Sequence, residues 1–166
     1  DYLREKNPEI NEPIICYKNS SERIYDTSNL SNGWNRPWGQ PNQWCADPDD
    51  ENPWLLFTWE KAIEINHIKF FLDPDFSMEL PSSRASHWQA SHLYYPRTSM
   101  PPHLIKEFII EAEKADSNWK VIAHISENYQ RLVDIMADEK ITTQKLRIRF
   151  IKTWGGSPAI YSIHIV

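Results

Sequence analysis

The strongest constraint on this chain is a period of two. Ile68, Phe70 and Leu72 alternate with His67, Lys69 and Phe71, and Phe108, Ile110 and Ala112 alternate with Ile109, Glu111 and Glu113. Trp119, Val121, Ala123 and Ile125 fall on one side of the next run. Leu146, Ile148 and Phe150 alternate with Arg147 and Arg149, and Tyr161, Ile163 and Ile165 with Ser162 and His164. Successive side chains of a strand point to opposite faces, so such runs bury one face of a sheet and solvate the other. Apolar runs at 14–17, 54–59 and 132–136 complete the set. Asp73-Pro74-Asp75 and Asp116-Ser117-Asn118 supply turns between runs. The pattern predicts an all-β, jelly-roll β-sandwich of about eight antiparallel strands. Helix is limited to a single turn at 102–106 or 138–142.

A chain of 166 residues reads as one domain and is long enough to bury a core without staples. Residues 1–12, broken by Pro8 and followed by Pro13, read as a linker or lead-in to a domain over 13–166. A net charge of −5 argues against nucleic acid, which needs a basic footprint. The densest basic group, Lys145, Arg147, Arg149 and Lys152, fits one solvated strand face. No run of 18 apolar residues exists, so no helix is expected to span a membrane. The chain begins at Asp1, which suggests a processed protein or an excised domain. Cys16 and Cys45 read as free buried thiols, with pairing in an oxidising compartment as the alternative.

Tryptophan is concentrated. Trp34, Trp38, Trp44, Trp54 and Trp59, five of the eight, lie within residues 29–59. This stretch begins as a loop rich in Asn, Gly and Pro and ends in a strand. A loop of that composition on a rigid scaffold is where a sandwich carries a binding site. Sugar rings stack their C–H faces on Trp and hydrogen-bond planar donors such as Asn and Arg. Trp34, Asn35, Arg36, Trp38, Asn42, Trp88 and Trp154 are therefore the candidate ligand-binding residues. The competing reading is that Trp fills cores. It is preferred for Trp54, Trp59 and Trp119, which lie on strands, and both readings stay open for Trp34, Trp38 and Trp154. Trp44 is expected to close the loop by packing it down. Asn35 and Arg36 have a second structural reading, fixing the loop's own shape through backbone hydrogen bonds.

Other chemistries find less support. The long polar segment 77–102 holds His87, Trp88, His92, Tyr94, Tyr95 and Arg97, with His103 just beyond, but the histidine spacing suits no common zinc site. The acidic run from Asp47 to Glu51 lacks the glycine and final Glu of a calcium loop and reads as a solvated turn. Asp73 and Asp75 form a carboxylate pair in principle, yet their place after a strand reads better as a turn cap. There is no nucleophile elbow and no Gly-rich phosphate loop. Catalysis by this chain is not expected.

Several short motifs in order are similar to one known family. They are Asn32-Gly33-x-Asn35-Arg36-Pro37, Asn42-x-Trp44, Pro53-Trp54-Leu55-x-Phe57 and Ile68-x-Phe70-x-Leu72-Asp73, then Trp119-Lys120-Val121, Asn128-Tyr129-Gln130-Arg131, Thr143-x-Lys145-Leu146-Arg147-Ile148 and Ala159-Ile160-Tyr161-x-Ile163. Over residues 14–166 the chain resembles a galactose-binding-like domain of the discoidin or coagulation factor 5/8 type C kind. It is similar in particular to the version at the C-terminal end of bacterial FAD-dependent oxidoreductases. The resemblance implies a jelly-roll accessory module, exported to the periplasm or cell surface of a bacterium. Its partner would be a glycan or other small ligand, or else the catalytic domain of a parent enzyme against which it packs. An independent hydrolase ranks last. FAD would belong to the absent parent region, so no cofactor is expected in this chain. Many relatives hold calcium at an Asp-Gly turn with a late Glu. Here those positions are Asn32-Gly33 and Ser162, which leaves Asn32 as the calcium candidate, with few charged ligands to support it.

Overall fold

The computed structural model describes residues 14–17, 25–37, 41–75 and 100–166. The strands are β1 (Ile14–Tyr17), β2 (Trp44–Cys45), β3 (Trp54–Leu72), β4 (Ile105–Glu113), β5 (Trp119–Ile125), β6 (Leu132–Thr153) and β7 (Ala159–Ile165). A short 3-10 turn spans Thr27–Ser31. The expected runs at 54–59 and 67–72 are the two halves of β3. Those at 132–136 and 146–150 lie within β6. With the short β2 added, the described strands number seven where about eight were expected.

The joining of runs shapes the molecule. β3 and β6 pair antiparallel from Trp54↔Arg149 to Phe71↔Leu132, with the register broken between Thr58 and Ile63 and again between Ile65 and His67. At these breaks the hydrogen-bonded sheet folds over on itself. One layer holds β1, the first half of β3, the second half of β6, β4 and β5. The other holds β2, β7, the second half of β3 and the first half of β6. Their inner faces meet: the Phe70 ring lies 5.0 Å from that of Phe108, and Trp44 lies 5.5 Å from Phe150. Leu55, Ile65, Leu72, Ile105, Ile110, Leu146, Ile148 and Ile160 are fully buried between them.

Because β3 and β6 are bent double, both ends of each reach the same end of the sandwich. The Phe150 N–H donates to the Pro53 carbonyl, that of Ala46 to Pro158, and that of Leu72 to Arg131. Asn128 N–H likewise reaches the Lys106 carbonyl. Loops 46–53, 73–75, 100–104, 126–131 and 154–158 therefore gather at one end.

The pattern is corrected in four places. Val121 is 53% exposed, because the β4–β5 register shifts between Ile110 and Glu111 and turns the strand over. Trp54 and Trp119, both expected in the core, are only half-buried; the Arg147 guanidinium lies 4.2 Å from the Trp119 ring centroid. Of the single helical turn expected at 102–106 or 138–142, only a hydrogen-bonded turn from Pro101 to Leu104 is present before Ile105 opens β4, and 138–142 continue β6. The basic face of β6 is an ion ladder rather than a freely solvated surface, with Lys145 on Glu113, Arg147 and Arg149 on Glu111, and Lys152 on Glu107.

Candidate functional site

The Trp34 loop is built from its entry onward. Asp26 caps the 3-10 turn by accepting from the Ser28 N–H at 2.9 Å. Leu30 in that turn is buried and anchors it to the core, while the Asn29 amide donates to the Gln43 carbonyl at 2.9 Å. Asn32 then takes the Trp34 N–H on its side-chain oxygen at 2.8 Å, spanning Gly33 at φ +84°. A Cβ at Gly33 would meet nothing within 4 Å, so it is the left-handed backbone that calls for glycine there.

Beyond this turn the loop is tied down through Asn35. Its side-chain oxygen accepts from the Ser162 hydroxyl at 2.6 Å, and its carbonyl accepts from the Arg131 guanidinium. Asn42, 3% exposed, donates to the Arg36 carbonyl at 3.3 Å. Ser162 was expected on the solvent side of β7. It is buried because this loop covers it.

A polar layer lies beneath. Gln43 donates to one oxygen of Asp73 at 3.2 Å, and the other accepts from the Asp75 N–H at 2.7 Å. This is the turn cap expected from the sequence, but both carboxylates are buried, at 4% and 7% exposure. Tyr161 sits beside them, and burial, followed by the negative charge of Asp73, pushes its phenol well above the usual value. The Cys45 thiol is free and is pushed up to about 11, by burial first and then by Asp73.

The oxygens around Asn32 make a poor calcium site. The Asn32 side-chain oxygen holds the Trp34 N–H, and both oxygens of Asn35 face donors, one of them cationic. Among the described residues no group of three His, Cys, Asp or Glu is placed to hold a metal.

The predicted site residues separate by role. Trp34, 44% exposed, and Arg36 face solvent, and the Arg36 guanidinium has no hydrogen bond among the described residues. Asn35 and Asn42 serve the loop from inside. Trp154 is half-buried against the core. Its indole N–H donates to the Asn128 carbonyl at 2.8 Å, and Lys106 Nζ lies 4.4 Å from its ring centroid. Trp38 and Trp88 lie outside the described residues, as do His87 and His92. His103 is bound to the Ser157 carbonyl at 2.9 Å. Trp44, buried to 1%, closes the loop as expected. Arg131 appeared in the sequence only within a short motif, and Ser162 as an alternating β7 residue and the place of a lost carboxylate; neither was assigned to the loop.

A cleft of about 380 Å³ opens nearby between residues 48–53 and 150–158, rimmed by Asp50, Glu51 and Lys152. Its one aromatic, Phe150, is 5% exposed, so no ring face is offered there for stacking.

No protein-family model and no curated protein matches the sequence. Solved structures do match. The family 32 carbohydrate-binding module of Streptococcus pneumoniae EndoD superposes with a TM-score of 0.62 at 15% identity, covering 94% of this chain and 97% of that one. The fold is galactose-binding-like. The family 32 module of Clostridium perfringens NanJ, solved in complex with galactose, gives 0.60 at 17% identity over 94% and 98%. A putative α-L-fucosidase from Bacteroides thetaiotaomicron gives 0.60 at 12% identity, covering 92% of this chain but 27% of that one. The jelly roll expected from the sequence is thus the observed fold, and its solved neighbours include carbohydrate-binding modules. Among the described residues no helix is long and apolar enough to cross a membrane.

Proposed function

We propose that this chain is a non-catalytic carbohydrate-binding module that takes a glycan on the Trp34 loop. The observation that carries this reading is one open indole on a loop fixed by its own hydrogen bonds. Trp34 stands 44% exposed while Asn32, Asn35 and Asn42 hold the backbone beneath it. A pre-formed platform saves the ordering entropy that a mobile ring loses on binding. An indole face takes the apolar face of a pyranose, and the Arg36 guanidinium two residues on supplies planar donors for its hydroxyls. The NanJ neighbour's complex with galactose makes galactose-terminated glycans the first ligands to test.

The module belongs to a larger, exported bacterial protein in this reading. The fucosidase neighbour, in which the matching region is about a quarter of the chain, shows this fold inside a longer protein. A FAD-dependent oxidoreductase as the parent rests on the sequence resemblance. The alternative, a loop that packs against a parent catalytic domain, calls for a broad apolar patch. Among the described residues this loop offers the single ring of Trp34.

A glycan array followed by calorimetry tests the proposal. Trp34→Ala should weaken binding by about 2 kcal/mol, roughly 30-fold, as loss of a central aromatic anchor does. The melting temperature should move little, because Trp34 is 44% exposed and lies outside the buried core cluster. Absence of any glycan ligand, or full affinity in both Trp34→Ala and Arg36→Ala, would end this reading.

A further inference from the structure

We infer that Arg131 is the positioning residue of the Trp34 loop, a fixed internal cation that organises the loop without bound metal. The inference stands on the loop's own geometry and does not depend on the glycan reading.

Between Leu30 and Asn42 none of the described residues is fully buried, and the long-range contacts of Asn35 in this segment are polar. The Arg131 guanidinium donates to the Asn35 carbonyl across 96 residues of sequence, and Ser162 donates to the Asn35 side chain across 127. Both anchors are rigid. The Arg131 carbonyl accepts from the Leu72 N–H at 2.8 Å at the mouth of the β3–β6 pair, and Ser162 pairs with Phe71 in the β3–β7 ladder. The guanidinium carbon lies 5.7 Å from the Phe71 ring centroid, which limits its swing. Asp73 and Asp75 supply the local negative charge: both carboxylates and Arg131 act on the Tyr161 phenol, so the four share one neighbourhood.

Calcium would gather six to eight oxygens, several of them charged. Here the Asn32 side-chain oxygen and both Asn35 oxygens already receive donors, and a guanidinium stands at the Asn35 carbonyl to repel a second cation. Arginine suits the task because its planar fork holds several donors in fixed directions and stays charged at any working pH.

The test combines thermal melts with the ¹⁵N spectrum of the Trp34 indole and Asn35 backbone. For the wild-type chain, calcium chloride or EDTA should leave both the melting temperature and these signals unmoved. Arg131→Met should shift both signals and lower the melting temperature by about 5 °C. Arg131→Lys, which keeps the charge but not the fork, should lie between. Ser162→Ala should move the Asn35 signal in the same direction by less, and it serves if Arg131→Met does not fold. A saturable calcium response of the wild type would overturn the inference. So would Trp34 and Asn35 signals that stay in place when Arg131 or Ser162 is changed, since a merely structural role would lower the melting temperature alone.

Discussion

Glu111→Gln removes the charge at the centre of the ladder on the outer face of β4 and β6 while keeping its volume. Glu111 is 6% exposed and accepts from Arg147 Nε at 2.8 Å, Arg149 Nε at 3.0 Å and Arg149 Nη2 at 3.1 Å. Breaking a fully buried ion pair costs about 3–5 kcal/mol. The two arginine side chains are 30% and 41% exposed, however, so water recovers part of that loss. Hydrogen bonds to charged groups contribute about 1.5–3 kcal/mol, which sets the expectation near 2 kcal/mol at neutral pH. For a domain of this size that lowers the melting temperature by about 4–8 °C. The effect also depends on pH. Burial raises the carboxyl, but hydrogen bonds from Arg149 and Arg147, with their charges, outweigh it and hold it below its ordinary value of 4.5. A carboxyl made more acidic by folding stabilises the fold above its unfolded value, and that contribution fades as pH falls through the folded one. Urea unfolding followed by Trp fluorescence should therefore show wild type and variant well separated at neutral pH and converging below about pH 4.5. A gap under about 0.5 kcal/mol at neutral pH, as expected of an ordinary surface change, or a gap that stays constant into acid, would refute the reasoning.

Gly156→Ala should cost about 1–3 kcal/mol, because its new Cβ would lie 2.7 Å from His103 Nδ1 and push that ring off the Ser157 carbonyl; an unchanged urea midpoint would count against this packing. Cys45 should resist iodoacetamide in the native state near neutral pH and react once unfolded, since its thiol is pushed up to about 11; native alkylation at the rate of a free cysteine would contradict the burial. Folding keeps that thiol neutral, so its contribution is present below the unfolded value near 9 and is lost as pH rises toward about 11.

Alternation was enough to place Ile68, Phe70, Leu72, Ile110 and Ile148 in the core, because the side-chain period of a strand is local. What joins the runs was not local. The apolar run 54–59 read as a strand of its own, yet the chain stays extended to Leu72, with Ile63, Glu64 and Ile65 paired to β6 around the fold-over. The bulge that turns Val121 outward is likewise set by the partner strand. Sequence context set Trp44, 1% exposed, apart as the residue that packs the loop down, but left both readings open for Trp34, 44% exposed, since burial depends on what covers a ring. The residues that hold the loop were the least visible. Arg131 and Ser162 meet Asn35 only after the chain has closed, and no neighbour in sequence announces the meeting.

The doubled-over β3 and β6 also bear on how the chain reaches this structure. Every rung between them joins distant positions, from Phe71 with Leu132 to Trp54 with Arg149. Closing such separations costs chain entropy before any rung forms, which places the domain among slow, high-contact-order folders. Because each layer borrows half of the same two strands, neither can open while the other stays shut. Amide exchange in the two layers should then follow a single cooperative opening. The loop end where Trp34 sits inherits that property: its scaffold is present whole or not at all.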